Sequence, residues 1–292
     1  MKNMRRTVLS LSLAALVVLI WPATALAATN PGLLTAGDFA VLAGTTITNT
    51  GPSWITGAIG AGAAGIAPGS FPPGTAGPQH VNDGVYTTAQ TDLTNAYANA
   101  VQPCTTDYSG VNLGGLTLVP GVYCQTTAPT LTGTLTLNGS GIYIFLIGTT
   151  AAPTTLVTAN SAQVVLINGA QPCEIFWRVT SSATIAPSTA FEGTIMANIA
   201  ITMQTGATLF GRALARTAAV TLDTNRIIQP AGCGNTGPAY VGPPAGNILP
   251  ATLGVPSELL QEIPWLLLIG VGGAAGAIAL GASSARRRRR SI

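Results

Sequence analysis

The stretch IAITMQTGATLFGRALARTAAVTLDTN, residues 199–225, contains the same short phrase twice. ITM at 201–203 and VTL at 220–222 each place a threonine between two apolar residues. Related phrases recur through the chain, and their central residues are Thr117, Thr136, Val165, Thr184, Thr202 and Thr221, at separations of 19, 29, 19, 18 and 19. A repeat of about twenty residues is typical of a solenoid, in which each coil buries its apolar side against the next.

The repeated phrases favour strands over helices. They are short, rich in β-branched residues and bounded by Gly, Pro and Asn, and none has helical periodicity long enough to fill a coil. In a strand, alternate side chains point to opposite sides, so the two apolar residues face inward and the central threonine faces outward. The sequence therefore predicts a β-solenoid with one outward column of five threonines and a valine.

A second strand in each coil is apolar on both alternations, as in IYIFLI at 142–147 and IFWRV at 175–179. Such a strand is covered on both faces. The covering element is expected to be the only helix-like stretch between the chain ends, 86–101, where Ala89, Leu93, Ala96 and Ala100 form one stripe. We expect this helix to cover a row of apolar side chains, namely Phe145, Phe176, Met196 and Leu214. We expect residues 33–61 to form further coils at one end of the solenoid.

Both chain ends differ in composition from the middle. Residues 1–27 combine a basic start, an apolar run and Ala25-Leu26-Ala27, which predicts a secretory signal peptide. Residues 263–282 are uncharged and long enough to span a bilayer as a helix, and the basic tail 283–292 follows them. The five arginines at 286–290 predict a cytoplasmic tail, with the solenoid domain (28–229) and a Pro/Gly-rich linker (230–262) outside the cell.

Charge and cysteine content narrow the function classes. Eight of the twelve basic residues lie in the two terminal segments, so residues 28–262 hold four arginines against nine carboxylates, a net charge of −5. This balance gives no reason to expect nucleic acid as a partner. The four cysteines favour two disulfides, for which three pairings are possible. Their spacing matches no metal motif, and no cofactor is expected.

An enzyme is the main alternative from another class, because β-solenoids also carry polysaccharide-cleaving sites. Such chemistry needs clustered carboxylates or a metal. The nine acids do not recur at coil spacing, and His80, the only histidine, lies in the loop GPQHVND. Arg212 and Arg216 are expected to form ion pairs with Asp223 and Glu192. We therefore expect no enzymatic activity.

Several long phrases resemble the microbial ice-binding protein family, which includes antifreeze proteins and ice-binding adhesins. They are LLTAGDFAVLAGTTITNTGPSWITGAIG, TDLTNAYANA, GGLTLVPGVY, LTGTLTLNG, VVLINGAQPCEIFWRV, FEGTIMA and GRALARTAAVTLDTN, in order over 33–228. The resemblance implies a discontinuous, roughly triangular β-solenoid with a long helix along one side and a flat face that binds ice. It also favours a Cys104–Cys124 disulfide, and we expect Cys173 to pair with Cys233.

The partner implied is therefore the ice surface, contacted by Thr117, Thr136, Thr184, Thr202 and Thr221. The family phrase Thr-Ala/Gly-X-Thr adds Thr205 and Thr208, and TANS at 158–161 is a near match. The alternative is a passive surface adhesin or protective module with the same fold. The ectodomain is expected to be monomeric and held at the cell surface by the C-terminal helix. LPATL at 249–253 resembles a sortase signal but has leucine at the glycine position.

Overall fold

The computed structural model describes residues 27–67, 71, 77–127 and 130–231. Within these ranges no helix has the length and apolar character needed to cross a membrane. The predicted signal peptide, apart from Ala27, the linker beyond Ala231, the membrane-spanning helix, the basic tail and Cys233 lie outside the described residues.

In the described residues, twenty-one strands form three stacks of parallel strands, which we call the helix face, the threonine face and the third face. In stacking order the helix face consists of β6 (Gln79–Val81), β4 (Ala58–Ala61), β1 (Phe39–Leu42), the second half of β19 (Thr208–Ala215), the second half of β17 (Ala190–Ala197), β15 (Ile175–Val179), β12 (Tyr143–Ile147), β9 (Gly121–Gln125) and β7 (Thr106–Asp107). The threonine face consists of β5 (Gly65–Ile66), β2 (Thr46–Thr50), β20 (Val220–Asp223), β18 (Ile201–Met203), β16 (Ala183–Ile185), β13 (Leu156–Thr158) and β10 (Thr130–Leu131).

The third face consists of β3 (Trp54–Thr56), β21 (Arg226–Ile228), the first halves of β19 and β17, β14 (Gln163–Ile167), β11 (Thr134–Asn138) and β8 (Thr117–Leu118). It shares one sheet with the helix face because β17 and β19 turn the corner between them. The coils approach closely there: a Cβ added to Gly211 would lie 1.8 Å from the carbonyl oxygen of Gly193. Only glycine fits at such a distance.

The stacking order does not follow the chain order. β1 pairs with β19, β2 with β20 and β3 with β21, so the first coils lie on the last ones. β6 and β7, which flank the helix α1 (Gly84–Asn99) in sequence, stand at opposite ends of the helix-face stack. The expectation that the block 33–61 completes one end is confirmed, and so is the discontinuity that the family resemblance implied.

The helix packs its predicted stripe against the helix face. Ala89, Leu93, Ala96 and Ala100 are fully buried there. Asp83 caps the helix start by accepting a hydrogen bond from the Tyr86 amide at 2.8 Å, which satisfies one of the free amide groups of the first turn. Short 3-10 turns at Leu34–Asp38 and Pro172–Glu174 complete the regular structure of the described residues.

The coils enclose an apolar core separate from the cluster under α1. Phe176, Met196 and Leu214 contact the helix as predicted. The prediction for Phe145 is wrong, because its ring points into the coil interior and stacks on Trp177 with 3.9 Å between centroids. All five residues of β12 are buried. Sequence alternation alone therefore could not decide which of its alternate residues face the coil interior and which face the helix.

Candidate functional site

One straight lane of threonines runs along the threonine face, and we call it the threonine lane. Its register pairs Val157 with Thr184, Thr184 with Thr202, Thr202 with Thr221, and Thr221 with Thr48. Thr130 extends the lane by pairing with Val157. Neighbouring side chains are spaced by the distance between strands, roughly 4.7 to 4.9 Å. The lane is therefore a row of six outward side chains, five of them threonines.

The alternation within these strands points the lane to solvent. In β16, β18 and β20 the residues on either side of the central threonine are buried, whereas the threonine itself is partly exposed. The Thr48 hydroxyl donates to the Thr221 hydroxyl at 3.3 Å, so two members are linked along the lane. This outward direction is the one that the sequence predicted.

A second lane of small side chains runs beside the threonine lane. It occupies the positions two residues earlier in each strand segment, and its members are Thr46, Ala219, Ala200, Ser182 and Thr155, all partly exposed. Neither lane contains a charged residue. Small uncharged side chains on parallel strands give a surface with regular spacing and little relief. Asp223, opposite Thr50, marks one edge of this surface.

The prediction of a single column is wrong. Thr117 pairs with Thr136, and Thr136 pairs with Val165, but these three lie on the third face. Thr184, Thr202 and Thr221 lie on the threonine face. The 19 residues from Val165 to Thr184 include the 3-10 turn at Pro172–Glu174, and they cover only two sides of a coil instead of three. Two outward positions separated by 19 residues can therefore lie on the same face or on different faces of the solenoid.

The third face is less uniform than the threonine face. Arg226, in register with both Thr208 and Trp54, is exposed there, and the Trp54 side chain is 41% exposed. Thr117 and Thr136 thus share a face with a cation and a large aromatic side chain. Such a surface is a poorer match to a regular array of water molecules than the threonine lane.

The remaining threonines predicted for the site lie apart from the lane. Thr205 is exposed at the corner between the threonine face and the third face, and its hydroxyl donates to the Asp223 carboxylate. Thr208 lies on the third face in register with Ala190. Thr158, in the near match TANS, is buried, and its hydroxyl accepts a hydrogen bond from the Ala186 amide at 2.8 Å.

Sequence reasoning missed three members of the lane: Thr48, Thr130 and Val157. The sequence pattern could have identified Thr48 as an outward threonine, because TTITNT at 45–50 has the same alternation as the other phrases. Its position next to Thr221 depends on the pairing of the first coils with the last, which no local spacing reveals. Thr130 and Val157 lie in strands of only two and three residues.

The predicted ion pairs of Arg212 and Arg216 are wrong. The Arg212 Nε donates to the carbonyl oxygen of Gly37 at 2.8 Å, and an Arg216 Nη donates to the Asn198 side chain at 2.7 Å. Among the described residues the only ion pair is between His80 and Asp83, at 2.9 Å. His80 lies in β6 and touches the ring of Phe39 edge-on, so it is held at the helix start instead of projecting from a loop.

The predicted Cys104–Cys124 disulfide is confirmed, with 5.8 Å between the two Cα atoms. Of the second predicted pair only Cys173 lies among the described residues. No group of three or more potential metal ligands occurs in the described part of the chain. Glu192 is half-buried, and desolvation raises the pKa of its carboxyl to about 8.

The chain is similar in sequence to known proteins. The family model described as Ice-binding-like matches residues 41–228. An ice-binding protein of Nostoc sp. (strain HG1) is 42% identical over 200 residues, which cover 66% of this chain and 72% of the relative.

Two solved structures are similar as well. The ice-binding protein of the Antarctic ascomycete Antarctomyces psychrotrophicus is 38% identical with a TM-score of 0.61, and the match covers 66% of this chain and 95% of that one. An ice-binding protein from an Antarctic Biological Consortium is 38% identical with a TM-score of 0.60, and the match covers 68% and 91%. Those chains consist almost entirely of the matched region, which is therefore a self-contained fold. The chain belongs to the Ice-binding-like family.

Proposed function

We propose that this protein adsorbs to ice through the threonine face. The observation that carries the proposal is the uncharged threonine lane, in which five threonines and a valine repeat at the strand spacing. Each threonine offers a hydroxyl that hydrogen-bonds water and a methyl group that does not. Its branched Cβ restricts rotation, so ordering the lane against a crystal costs little entropy.

The relatives support the same function, since those compared above are ice-binding proteins by name. None of them is named as an enzyme, and no group of three or more potential metal ligands occurs among the described residues. We therefore place the protein outside the enzymes. No cofactor is needed, because adsorption depends only on the shape and hydrogen bonding of the surface.

The experiment uses residues 28–242, which contain the matched region and keep Cys233. A fluorescently labelled sample is incubated with a growing single-crystal ice hemisphere. We expect fluorescence on defined ice planes, together with a gap between freezing and melting temperatures. A folded domain that stays in the liquid at high concentration would favour the passive surface module instead.

We also propose that the domain is held at the cell surface as a single-pass protein with its C-terminus inside. The support is sequence alone: the signal-like residues 1–27, the apolar segment 263–282 and the arginines at 286–290. The linker 230–262 would then separate the ice-binding domain from the membrane. Protease added to intact cells should remove the domain and leave the C-terminal tail intact. Protection of the domain from protease would contradict this topology.

A further inference from the structure

A polar hollow of about 370 Å³ lies between α1 and the coil corner at Arg216. Its lining combines one cation with five hydrogen-bonding side chains and no carboxylate: Thr87, Gln90, Thr91, Thr94, Asn95 and Arg216. The five helix residues form one stripe, because their successive intervals along α1 are three, one, three and one, which places residues four apart one turn above each other. This stripe runs along α1 beside the buried stripe that packs on the helix face. The Gln90 amide donates to the carbonyl oxygen of Ala215 at 3.3 Å.

Positive charge is concentrated beneath this hollow. The guanidinium carbons of Arg178 and Arg216 lie 4.3 and 4.5 Å from the centroid of the same Tyr97 ring. Arg178 is only 9% exposed. Burial lowers the pKa of Arg178, and the neighbouring Arg216 lowers it further, against the opposing effect of Tyr97. The two cations therefore act on each other, and a partly buried pair of like charges favours an anion nearby.

The described residues supply no such anion. Neither arginine forms an ion pair with a carboxylate there. Asp92, the acid on the same helix, is engaged elsewhere, since one of its oxygens accepts hydrogen bonds from the hydroxyl and amide of Thr35 at 2.5 and 3.1 Å. The Arg216 Nε is buried and has no hydrogen-bond partner. An arginine whose charge no carboxylate of the described residues neutralises, at the edge of an acid-free hollow, is the arrangement that a bound oxyanion would satisfy.

We propose that this hollow binds a phosphate or sulfate group. Arg216 would supply the positive charge, and the Asn95 amide would supply a neutral donor. The Gln90 amide already donates to the chain, and the threonine hydroxyls at 87, 91 and 94 donate to helix carbonyls at 2.8 to 3.0 Å. The hollow lies on the helix side of the molecule, so binding there is independent of the proposed ice surface.

The test follows the arginine Nε–H signals of residues 28–242 by proton–nitrogen NMR. Sodium phosphate, sodium sulfate and glycerol phosphate are titrated separately, with sodium chloride at matched ionic strength as the reference. We expect a saturable shift of the Arg216 signal with the tetrahedral anions but not with chloride. Arg226, on the third face, is the internal control and should move equally in all titrations.

Glycerol phosphate distinguishes a phosphate carried on a larger molecule from a free inorganic ion. Binding of glycerol phosphate as well as the free ion supports a site for a phosphate carried on a larger molecule. Binding of the free ions alone restricts the site to inorganic oxyanions. An Arg216 signal that moves only as it does in chloride overturns the proposal.

Two variants on α1 test the site without replacing Arg216, so the test does not depend on whether an arginine variant folds. Asn95→Asp puts a carboxylate into the lining without touching the buried stripe, and it should weaken phosphate binding by about tenfold or more through charge repulsion. Thr88→Asp makes the same change in charge on the exposed side of α1 outside the hollow, and it should leave binding within about twofold. Equal effects of the two variants would show a general charge effect and would remove the case for a site at Arg216.

Discussion

Single threonines in this protein take their direction from strand alternation. The sequence correctly predicted that Thr184, Thr202 and Thr221 face outward, because each lies between two apolar residues that the core buries. It could not predict which outward surface each one occupies. Thr136 has the same local pattern as Thr202 and lies on another face. Local pattern determines inside or outside, whereas the lengths of the corner loops determine the face.

Glu192 predicts how stability depends on pH. Burial raises the pKa of its carboxyl from 4.5 to about 8, and its Oε2 has no hydrogen-bond partner. Between those two pH values the folded protein binds more protons than the unfolded chain. The free energy of unfolding should therefore fall as pH rises from about 4.5 to about 8, by up to several kcal/mol at about 1.4 kcal/mol per pKa unit.

Glu192→Gln tests this explanation, because it keeps the size of the side chain and removes its titration. Urea unfolding at pH 5, 7 and 9 should show a falling free energy for the natural protein and a flatter profile for the variant. Profiles of equal slope would mean that other groups cause the pH dependence.

The helix α1 is the element that the sequence predicted best. Its buried stripe follows helical periodicity, which is a local signal, and the predicted span 86–101 differs from Gly84–Asn99 by only two residues at each end. Its docking was less predictable. Tyr97, which lay outside the predicted stripe, is buried, contacts Arg178 and Arg216 and donates to the carbonyl oxygen of Val179 at 3.1 Å.

Leu93→Ala measures how strongly the helix is held. Leu93 is fully buried between α1 and the helix face, so its truncation leaves a cavity and should cost about 2 to 5 kcal/mol of unfolding free energy. Thr88→Ala, at an exposed position of the same helix, should change stability by less than about 0.5 kcal/mol. Chemical unfolding of both variants provides the comparison, and a loss below about 1 kcal/mol for Leu93→Ala would show that the helix contributes little to the fold.

At the scale of the whole molecule, the solenoid character was predictable because coils of similar length leave a repeat in the sequence. The stacking of the first coils on the last was not, because Thr48 and Thr221 are paired across 173 residues of chain. Only the family resemblance pointed to this discontinuity. The extent of the threonine face depends directly on it, since β2 and β5 extend that face by two strands.

The Cys104–Cys124 disulfide protects one end of the stack. It closes a segment with a sequence separation of 20 residues and ties the region around β7, the last strand of the helix face, to β9. Cys104→Ala should lower the unfolding free energy by about 3 kcal/mol. Hydrogen exchange should increase first around β7 and β9, and an increase that begins at the opposite end, near β6, would contradict this role.

We propose that ice is bound by the threonine face and not by the third face. Thr202→Tyr places a bulky side chain in the middle of the threonine lane, where it would hold the surface away from the crystal without entering the core. Thr136→Tyr makes the same change at an outward threonine on the third face. The decisive measurement is retention of the two folded variants on an ice hemisphere, beside the natural protein. We predict that Thr202→Tyr is lost from the ice and Thr136→Tyr is retained. Loss of Thr136→Tyr with retention of Thr202→Tyr would show that the third face binds ice instead.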